Sequence, residues 1–273
     1  MLLLRRSGLT AIALAAVLAG PAQANTKAGS VTRTSGDVSA TLTWRASQDI
    51  VAQGGHITIS RSGTQVLDVD LKKVCQLCEF IGGPKGALAI RDLDGDGEPE
   101  VLVDTYSGGA HCCTTGVIFW FDGTTYRHDV HAYGDSGYQL KDYDGDGKPE
   151  IFTDDDRFAY EFAAYAFSFR PLMLLDWVGH KLVDRTRSFP QQIQAEIHFI
   201  DRGMASAKKD GDARGLVAAR CADMALLGEG AQKIGAYVDR MRKRGYVNGM
   251  SPWPSGRKFK PAVLKFLRKT GYL

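Results

Sequence analysis

Hydrophobic and polar residues alternate with a period of two along the N-terminal part of the chain, which is the pattern of β-strands that bury one face. Val38–Trp44 and Ile57–Ser60 show this alternation, and Gly54–Gly55 predicts a break between them. The sequence therefore predicts a β-rich N-terminal part. Three longer stretches predict two strands joined near a glycine: Ile57–Leu71, Val117–Val130 and Leu172–Thr186.

The glycines of these predicted hairpins recur at a nearly constant interval. Gly63, Gly123 and Gly179 are 60 and 56 residues apart, a period typical of β-propeller blades or similar β-repeats. About 165 residues is too short for a closed propeller, which has at least four blades. We therefore expect an incomplete, partly β-propeller-like set of blades whose open edges must be covered.

The C-terminal part changes to the 3.6-residue period of amphipathic helices. Leu216–Leu227 forms one predicted helix, which Gly228 ends, and Pro261 begins another, which ends at Gly271. The sequence thus predicts an α+β protein, with a β-repeat region followed by a small all-α region. Two further helical faces are formed by Ile193, Ile197, Ile200 and Met204, and by Ile234, Tyr237, Val238 and Met241.

The charge of the chain changes where the period changes. Residues 25–190 contain 16 Lys and Arg against 24 Asp and Glu, whereas residues 191–273 contain 16 against 7. Both changes predict a boundary near Pro190, with a β-repeat domain over 25–190 and a basic helical region over 191–273. The basic runs Asp239–Arg244 and Arg257–Lys260 predict either solvated helix faces or a surface for an envelope polymer or phospholipid headgroups.

Residues 1–24 have the organisation of a signal peptide. Arg5 and Arg6 precede the apolar run Leu9–Leu18, and Ala22–Ala24 has the small-x-small pattern of a cleavage site. The apolar run is too short to span a bilayer. We therefore expect export to a bacterial periplasm or to the medium, with no transmembrane segment after cleavage.

Two acidic loops of the same pattern lie ahead of predicted strands. Each has aspartate at positions 1, 3 and 5, glycine at position 6 and glutamate at position 9. Carboxylates held together in a curled loop repel one another unless a cation lies among them, and the flexible loop favours Ca²⁺ over Mg²⁺. The sequence therefore predicts two calcium sites. The predicted ligands are Asp92, Asp94, Asp96, Glu98 and Glu100, and Asp142, Asp144, Asp146, Lys148 and Glu150, with Glu98 and Lys148 offering backbone carbonyls.

Two other kinds of loop have a similar sequence pattern, the EF-hand loop and a metal-free turn. An EF-hand needs a bidentate glutamate at position 12, where this chain has Val103 and Thr153. It also needs a helix after the loop, whereas Pro99 and Pro149 precede short apolar runs that predict strands. These differences exclude an EF-hand. The remaining alternative is a pair of Asp-Gly turns without metal.

The loop sequences DLDGDGEPEV and DYDGDGKPEI resemble the calcium loops of FG-GAP/VCBS repeats, which occur in integrin-alpha-type propellers and many secreted bacterial proteins. The preceding FIGGPKGALAI, Phe80–Ile90, resembles the Phe-Gly and Gly-Pro punctuation of that family. The resemblance covers about residues 80–160 and implies a calcium-binding scaffold of FG-GAP type rather than a particular activity, since the family is diverse in function.

Disulfides are the expected state of cysteines in an exported protein. The chain contains five cysteines: Cys75, Cys78, Cys112, Cys113 and Cys221. Cys75 and Cys78 form one pair, and the adjacent Cys112 and Cys113 form another. The sequence predicts two bridges between these pairs and leaves their connectivity open. A redox CxxC and a zinc site that includes His111 are the alternatives. Cys221, on a predicted helix, is expected to be a buried free thiol.

Two further loops, Ser107–Cys113 and Asp154–Phe162, follow the strands after the acidic loops, so we expect them opposite the metal. They predict either a recognition or catalytic patch around His111, or a tight turn with packed aromatic residues. The function we expect is a non-catalytic binding or interaction module of the cell envelope. Its partner would be an unknown protein or an envelope polymer, not nucleic acid, and the alternative is a cell-envelope hydrolase that uses the His111 loop.

Overall fold

The computed structural model describes residues 27–46, 51–76, 80–81, 87–106, 113–210 and 212–273, and the predicted signal peptide lies outside these ranges. In the described chain, three antiparallel sheets precede a group of helices. The predicted α+β class, with the β part first, is therefore confirmed. No helix within these ranges is both long and apolar enough to cross a membrane.

The first sheet has four strands in sequential antiparallel order, and a short fifth strand pairs with the start of the third. A helix of one turn, α1 Leu71–Val74, follows this sheet, where the sequence predicts strand through Leu71. The Asp70 carboxylate accepts a hydrogen bond from Lys72 N at 2.9 Å and so caps this helix. The strands are β1 Gly29–Ser35, β2 Val38–Arg45, β3 Val51–Arg61, β4 Thr64–Asp70 and β5 Phe80–Ile81.

Gly54 and Gly55 lie inside β3, so the predicted break between strands at this position is wrong. The pairing of β2 with β3 shifts register between Thr43 and Arg45, opposite these glycines. A Cβ atom at Gly54 would lie 2.6 Å from Arg45 Nε, and φ of Gly54 is 67°. The glycines therefore mark a bulge with a close side-chain approach rather than a turn.

The second and third sheets share one arrangement, four strands in sequential antiparallel order. The second contains β6 Leu88–Arg91, β7 Glu100–Tyr106, β8 Thr114–Phe121 and β9 Tyr126–Gly134. The third contains β10 Gln139–Lys141, β11 Glu150–Asp154, β12 Leu172–Val178 and β13 Lys181–Asp184. The three predicted hairpins are confirmed as β3–β4, β8–β9 and β12–β13.

The second sheet is buried on both faces, because it packs between the other two. Val101 and Val103 of β7 belong to the core shared with the first sheet. Leu102, between them, packs with Ile151 and Leu175 of the third sheet. Successive strand residues point to opposite faces, so the uninterrupted apolar run of β7 follows from burial on both sides.

Four longer helices follow the sheets and share one apolar core. Both predicted apolar faces are confirmed, since all eight residues are buried in this core. Phe158 and Phe162, from the segment after β11, join it. The helices are α2 Pro190–Asp210, α3 Arg214–Leu226, α4 Ala231–Lys243 and α5 Phe259–Lys269.

Polar contacts attach the helices to the third sheet. The hydroxyl of Tyr272, after α5, donates to Asp155 Oδ2 at 2.9 Å, and Asp155 follows β11 directly. Leu172 N, at the start of β12, donates to Glu196 Oε2 of α2 at 3.0 Å. The third sheet is thus held at the carboxyl end of β11 by the helices and at the amino end of β11 by the second acidic loop.

Candidate metal centre

Each acidic loop connects the first and second strands of its sheet. The first loop runs from Asp92, after β6, to Glu100, the first residue of β7. The second runs from Asp142, after β10, to Glu150, the first residue of β11. Both loops lead into strands, as predicted, and neither has the helix that an EF-hand requires.

Backbone N–H groups of the second loop donate to its own carboxylates. Asp142 accepts hydrogen bonds from Gly145 N at 2.6 Å and from Gly147 N at 3.0 Å. Glu150 accepts one from Tyr143 N at 2.6 Å. Gly147 has a φ of 89°, which glycine adopts without strain. The loop therefore curls around its carboxylates.

The first loop repeats these contacts position by position. Asp92 accepts hydrogen bonds from Gly95 N at 2.7 Å and from Gly97 N at 3.0 Å. Glu100 accepts one from Leu93 N at 2.9 Å. The same donors at the same positions curl the backbones of the two loops in the same way.

Carboxylate oxygens converge in both loops. In each group, the residues offer one oxygen atom apiece, and these atoms lie within 4.8 Å of one another. Asp96 is outside the first group, and its Oδ1 accepts a hydrogen bond from Glu98 N at 2.7 Å. The structure thus brings together seven of the eight predicted carboxylates: Asp142, Asp144, Asp146 and Glu150 in the second loop, and Asp92, Asp94 and Glu100 in the first.

Burial and neighbouring charges raise the pKa of three of these carboxylates. Burial raises the pKa of Glu100 to about 7, and the charge of Asp94 acts in the same direction. Burial also raises the pKa of Asp94 and of Glu150. Asp94 Oδ1 is buried and has no hydrogen-bond partner among the described residues. A cation among the carboxylates would reverse these shifts and provide that oxygen with a partner.

The side chains at loop position 7 make different contacts in the two loops. Glu98 forms a two-point ion pair with Arg61 of β3, with Arg61 Nη2 donating to Glu98 Oε2 at 2.8 Å. The stem of Lys148 packs against the first loop, since a Cβ atom at Gly95 would lie 3.0 Å from Lys148 Cε. The Lys148 ammonium lies 3.8 Å from Asp146 Oδ2, an oxygen of the second loop. Position 7 therefore carries opposite charges because its side chain pairs with a different neighbour in each loop. The ligand role of the two backbone carbonyls stays a prediction.

Asp176 of β12 is a further acidic residue beside the second loop. A cleft of about 240 Å³ lies between the loop and the β12–β13 hairpin, and Asp144, Asp146 and Asp176 are among its lining residues. Asp176 Oδ1 is buried without a hydrogen-bond partner in the described part of the chain, while its Oδ2 lies 3.4 Å from Arg185 Nε. No loop motif identifies Asp176. Its signal in the sequence is an acidic residue inside the apolar run Leu172–Val178.

The cysteine predictions fall partly within the described residues. Cys75 and Cys113 are disulfide-bonded, and Cys221 is a buried free thiol, as predicted. Disulfide bonding removes Cys75 and Cys113 from the predicted zinc ligands. Cys75 also follows the end of α1, whereas a redox CxxC begins a helix. Cys78 and residues 107–112, with the predicted histidine, lie outside the described ranges.

The described half of the predicted recognition patch, Asp154–Phe162, contains two aromatic residues that pack in the core. Phe158 and Phe162 are 1% exposed in the helical core, and Tyr160 is 50% exposed. Asp154 Oδ2 accepts a hydrogen bond from Ser136 Oγ at 2.5 Å. For Phe158 and Phe162, packing rather than recognition is therefore the role that the structure assigns.

Two curated proteins are similar to this chain. One is a probable thylakoid lumen protein of Synechocystis sp., 32% identical over 181 residues, which are 60% of this chain and 52% of that protein. The other is an uncharacterized protein of Sinorhizobium fredii, 32% identical over 88 residues, which are 32% of this chain and 14% of that protein. The chain thus spans about half of the length of the Synechocystis protein and 14% of the length of the Sinorhizobium protein. No family model and no solved structure matches the chain.

Proposed function

We propose that the protein is an exported calcium-binding protein of the FG-GAP/VCBS type that acts as a non-catalytic binding or interaction module of the cell envelope. The observation that carries the proposal is the convergence of four carboxylates of the second loop within 4.8 Å of one another. Carboxylates held this close repel one another, and a bound cation would compensate their charge.

The donor set favours calcium. All the convergent groups are carboxylates, which bind hard cations, and the loops differ in how many oxygens converge, which suits the irregular coordination of Ca²⁺ better than the octahedral coordination of Mg²⁺. Asp142, Asp144, Asp146 and Glu150 would hold one ion, and Asp92, Asp94 and Glu100 the other. Each ion would neutralise its loop and link the two strands that the loop connects.

The arrangement of the sheets supports a partial propeller-like scaffold. Three sheets of sequential antiparallel strands pack face to face, as neighbouring blades do, and the two calcium loops occupy the same connection in consecutive sheets. The helical part is hydrogen-bonded to the third sheet at Leu172 and at Asp155, directly after β11, and this attachment supports a role in protecting the open end of an incomplete propeller.

Export and a binding role rest on separate observations. Residues 1–24 have the pattern of a signal peptide, and the name of the Synechocystis relative assigns that protein to a lumen. A binding role is favoured over catalysis because the convergent carboxylates would be occupied as ligands. We therefore place the protein in a periplasm or outside the cell.

Calcium titration of the mature chain, residues 25–273, tests the proposal. We expect saturable Ca²⁺ binding at about 10⁻⁴–10⁻³ M, with weaker Mg²⁺ binding. Trp177 lines the cleft beside the second loop, so its fluorescence should report the binding. Asp144→Ala removes one oxygen ligand and should weaken binding to the second loop. The matched control is Asp201→Ala, at an exposed aspartate of α2. Identical titrations for all three proteins would contradict the calcium assignment.

A further inference from the structure

The last part of the chain carries a strong excess of positive charge. Residues 240–273 contain ten Lys and Arg and no Asp or Glu. Asp239, just before this stretch, pairs with Lys260 at 2.6 Å and lies 4.0 Å from Arg242. Among the described residues, no other Lys or Arg of this stretch forms an ion pair, so the remaining positive charge is available to solvent or a partner.

The fold brings two pairs of basic residues together. Lys243 and Arg244 end α4, and Arg257 and Lys258 precede α5. The loop between the helices closes on itself, because Gly256 N donates to Val247 O at 2.9 Å. The two pairs therefore lie at the two ends of one closed loop, and all four side chains belong to exposed residues.

The same loop presents an apolar side chain to solvent. Met250 is 80% exposed, more than any other large hydrophobic residue in the described part of the chain. We call Lys243, Arg244, Met250, Arg257 and Lys258 together the basic loop surface. A protruding apolar residue flanked by basic residues is the arrangement that peripheral proteins use at a lipid interface.

Stabilisation of the helix ends explains only two of the four basic residues. Lys243 and Arg244 lie at the end of α4, where cations interact favourably with the helix dipole. Arg257 and Lys258 lie at the beginning of α5, where the dipole disfavours cations, and the first turn of α5 contains no acidic residue. The second pair is therefore placed against the local electrostatic preference, which points to a role outside the fold.

We propose that the basic loop surface docks the protein on a membrane that contains anionic phospholipid, with Met250 entering the headgroup region. The basic side chains would lie against the lipid phosphates, and the apolar side chain would add the contact that a soluble polyanion cannot offer. The proposal uses only the envelope location from the proposed function and does not depend on calcium.

Sedimentation with vesicles tests this docking. We expect the mature protein to bind vesicles of mixed phosphatidylglycerol and phosphatidylcholine and not vesicles of phosphatidylcholine alone, with affinity that falls as salt is added. The double variant Arg257→Glu/Lys258→Glu should bind at least about 30-fold more weakly. Met250→Ser should bind about tenfold more weakly while its melting temperature stays unchanged.

A matched charge reversal away from the surface is the control. Lys181→Glu/Arg202→Glu changes the net charge equally at exposed residues of β13 and α2 and should bind like the unmodified protein. Equal loss in this control would overturn the proposal, because net charge alone would then explain binding. A second pair of results would also overturn the proposal. If soluble polyphosphate competes fully with the vesicles and Met250→Ser binds them as well as the unmodified protein, the partner is a polyanion rather than a membrane.

The calcium dependence of vesicle binding distinguishes this proposal from the proposed function. Binding is measured in Ca²⁺ and again in EDTA, and we expect it to persist in both. Vesicle binding that requires Ca²⁺ and ignores the variants of the basic loop surface would assign the contact to the acidic loops and refute the docking surface. A protein that binds no Ca²⁺ but still docks through the basic loop surface would refute the calcium assignment alone.

Discussion

A buried pair of carboxyl groups makes the stability of this protein depend on pH in an unusual direction. Asp223 of α3 is 0% exposed, and neither of its carboxyl oxygens has a hydrogen-bond partner at ordinary geometry among the described residues. Glu196 of α2 is the carboxyl group beside it, and it also accepts a hydrogen bond from Leu172 N at 3.0 Å. A proton shared between the two carboxyl groups would satisfy both.

The surrounding charges do not compensate the pair. Burial raises the pKa of Glu196, and the charge of Asp154 adds to this effect. Burial and the neighbouring Glu196 raise the pKa of Asp223, Asp201 acts in the same direction, and Arg220 opposes it. Both shifts favour the protonated form in the folded protein. We therefore expect the folded pair to keep at least one proton at a pH where the unfolded chain has released both.

The sign of the pH dependence follows from these shifts. A carboxyl group whose pKa is raised by folding stabilises the protein fully below its unfolded pKa, and this stabilisation is lost as the pH rises toward the folded pKa. Each proton that only the folded state retains changes the free energy of unfolding by about 1.4 kcal/mol per pH unit. Between about pH 6 and about pH 8, one retained proton would lower the stability by about 2.7 kcal/mol.

Asp223→Asn tests this mechanism, because an amide can donate to the Glu196 carboxylate without binding a proton. We expect the variant to lose the contribution of this pair to the decline in stability, so that its free energy of unfolding relative to the unmodified protein improves by about 1.4 kcal/mol per pH unit above about pH 6. Urea unfolding followed by circular dichroism over a pH series measures the difference. Glu196→Gln should behave similarly.

Asp201→Asn is the control for the carboxyl-to-amide change. Asp201 is exposed on α2 and lies 3.4 Å from Arg220, so it samples the same electrostatic neighbourhood without burial. The stability of Asp201→Asn should change with pH in the same way as that of the unmodified protein. Parallel pH curves for Asp223→Asn and the unmodified protein would refute the shared proton, because the two would then release the same number of protons on unfolding.

Two further predictions concern the acidic loop and the last residues of the chain. In EDTA, Glu150→Ala should lower the melting temperature more than Asp144→Ala, whereas both should reduce the stabilisation by Ca²⁺. An Asp144→Ala variant that loses as much stability in EDTA as in Ca²⁺ would identify the loop as a plain turn. Tyr272→Phe removes the hydrogen bond to the buried Asp155 and should lower the free energy of unfolding by about 1–2 kcal/mol, measured by urea unfolding. The control Tyr160→Phe, at a half-exposed site, should leave the free energy of unfolding unchanged.

The sequence predicts features of this fold that depend on neighbouring residues. The loop glycines, the hairpin turns and the apolar helix faces each occupy a short stretch, so local chemistry determines them. Gly54 shows the limit of such reasoning. A glycine pair predicts a turn, yet here it admits the Arg45 side chain inside a strand, and that contact depends on pairing with β2.

Buried acidic residues were harder to predict, although the sequence contains a signal for them. Glu196 is three residues after Ile193 and four before Ile200, so it lies on the apolar face of α2. Asp223 interrupts the apolar helix α3 in the same way. Helical period alone places each residue in the core. Their pairing depends on how α2 and α3 pack, which no single helix specifies.

The choice between a calcium loop and a metal-free turn depends on which carboxylate oxygens already have partners. Asp92 and Glu100 accept backbone hydrogen bonds, which an Asp-Gly turn would need even without an ion. The Glu100 side chain holds the loop residue Leu93 at the start of β7, and Glu150 holds Tyr143 at the start of β11 in the same way, which explains why position 9 should matter in EDTA. Asp94 differs, because its Oδ1 is buried without a hydrogen-bond partner among the described residues. A metal-free turn gives no reason to bury an unpaired carboxylate oxygen, whereas a cation in the loop does, and for this reason we prefer the calcium site.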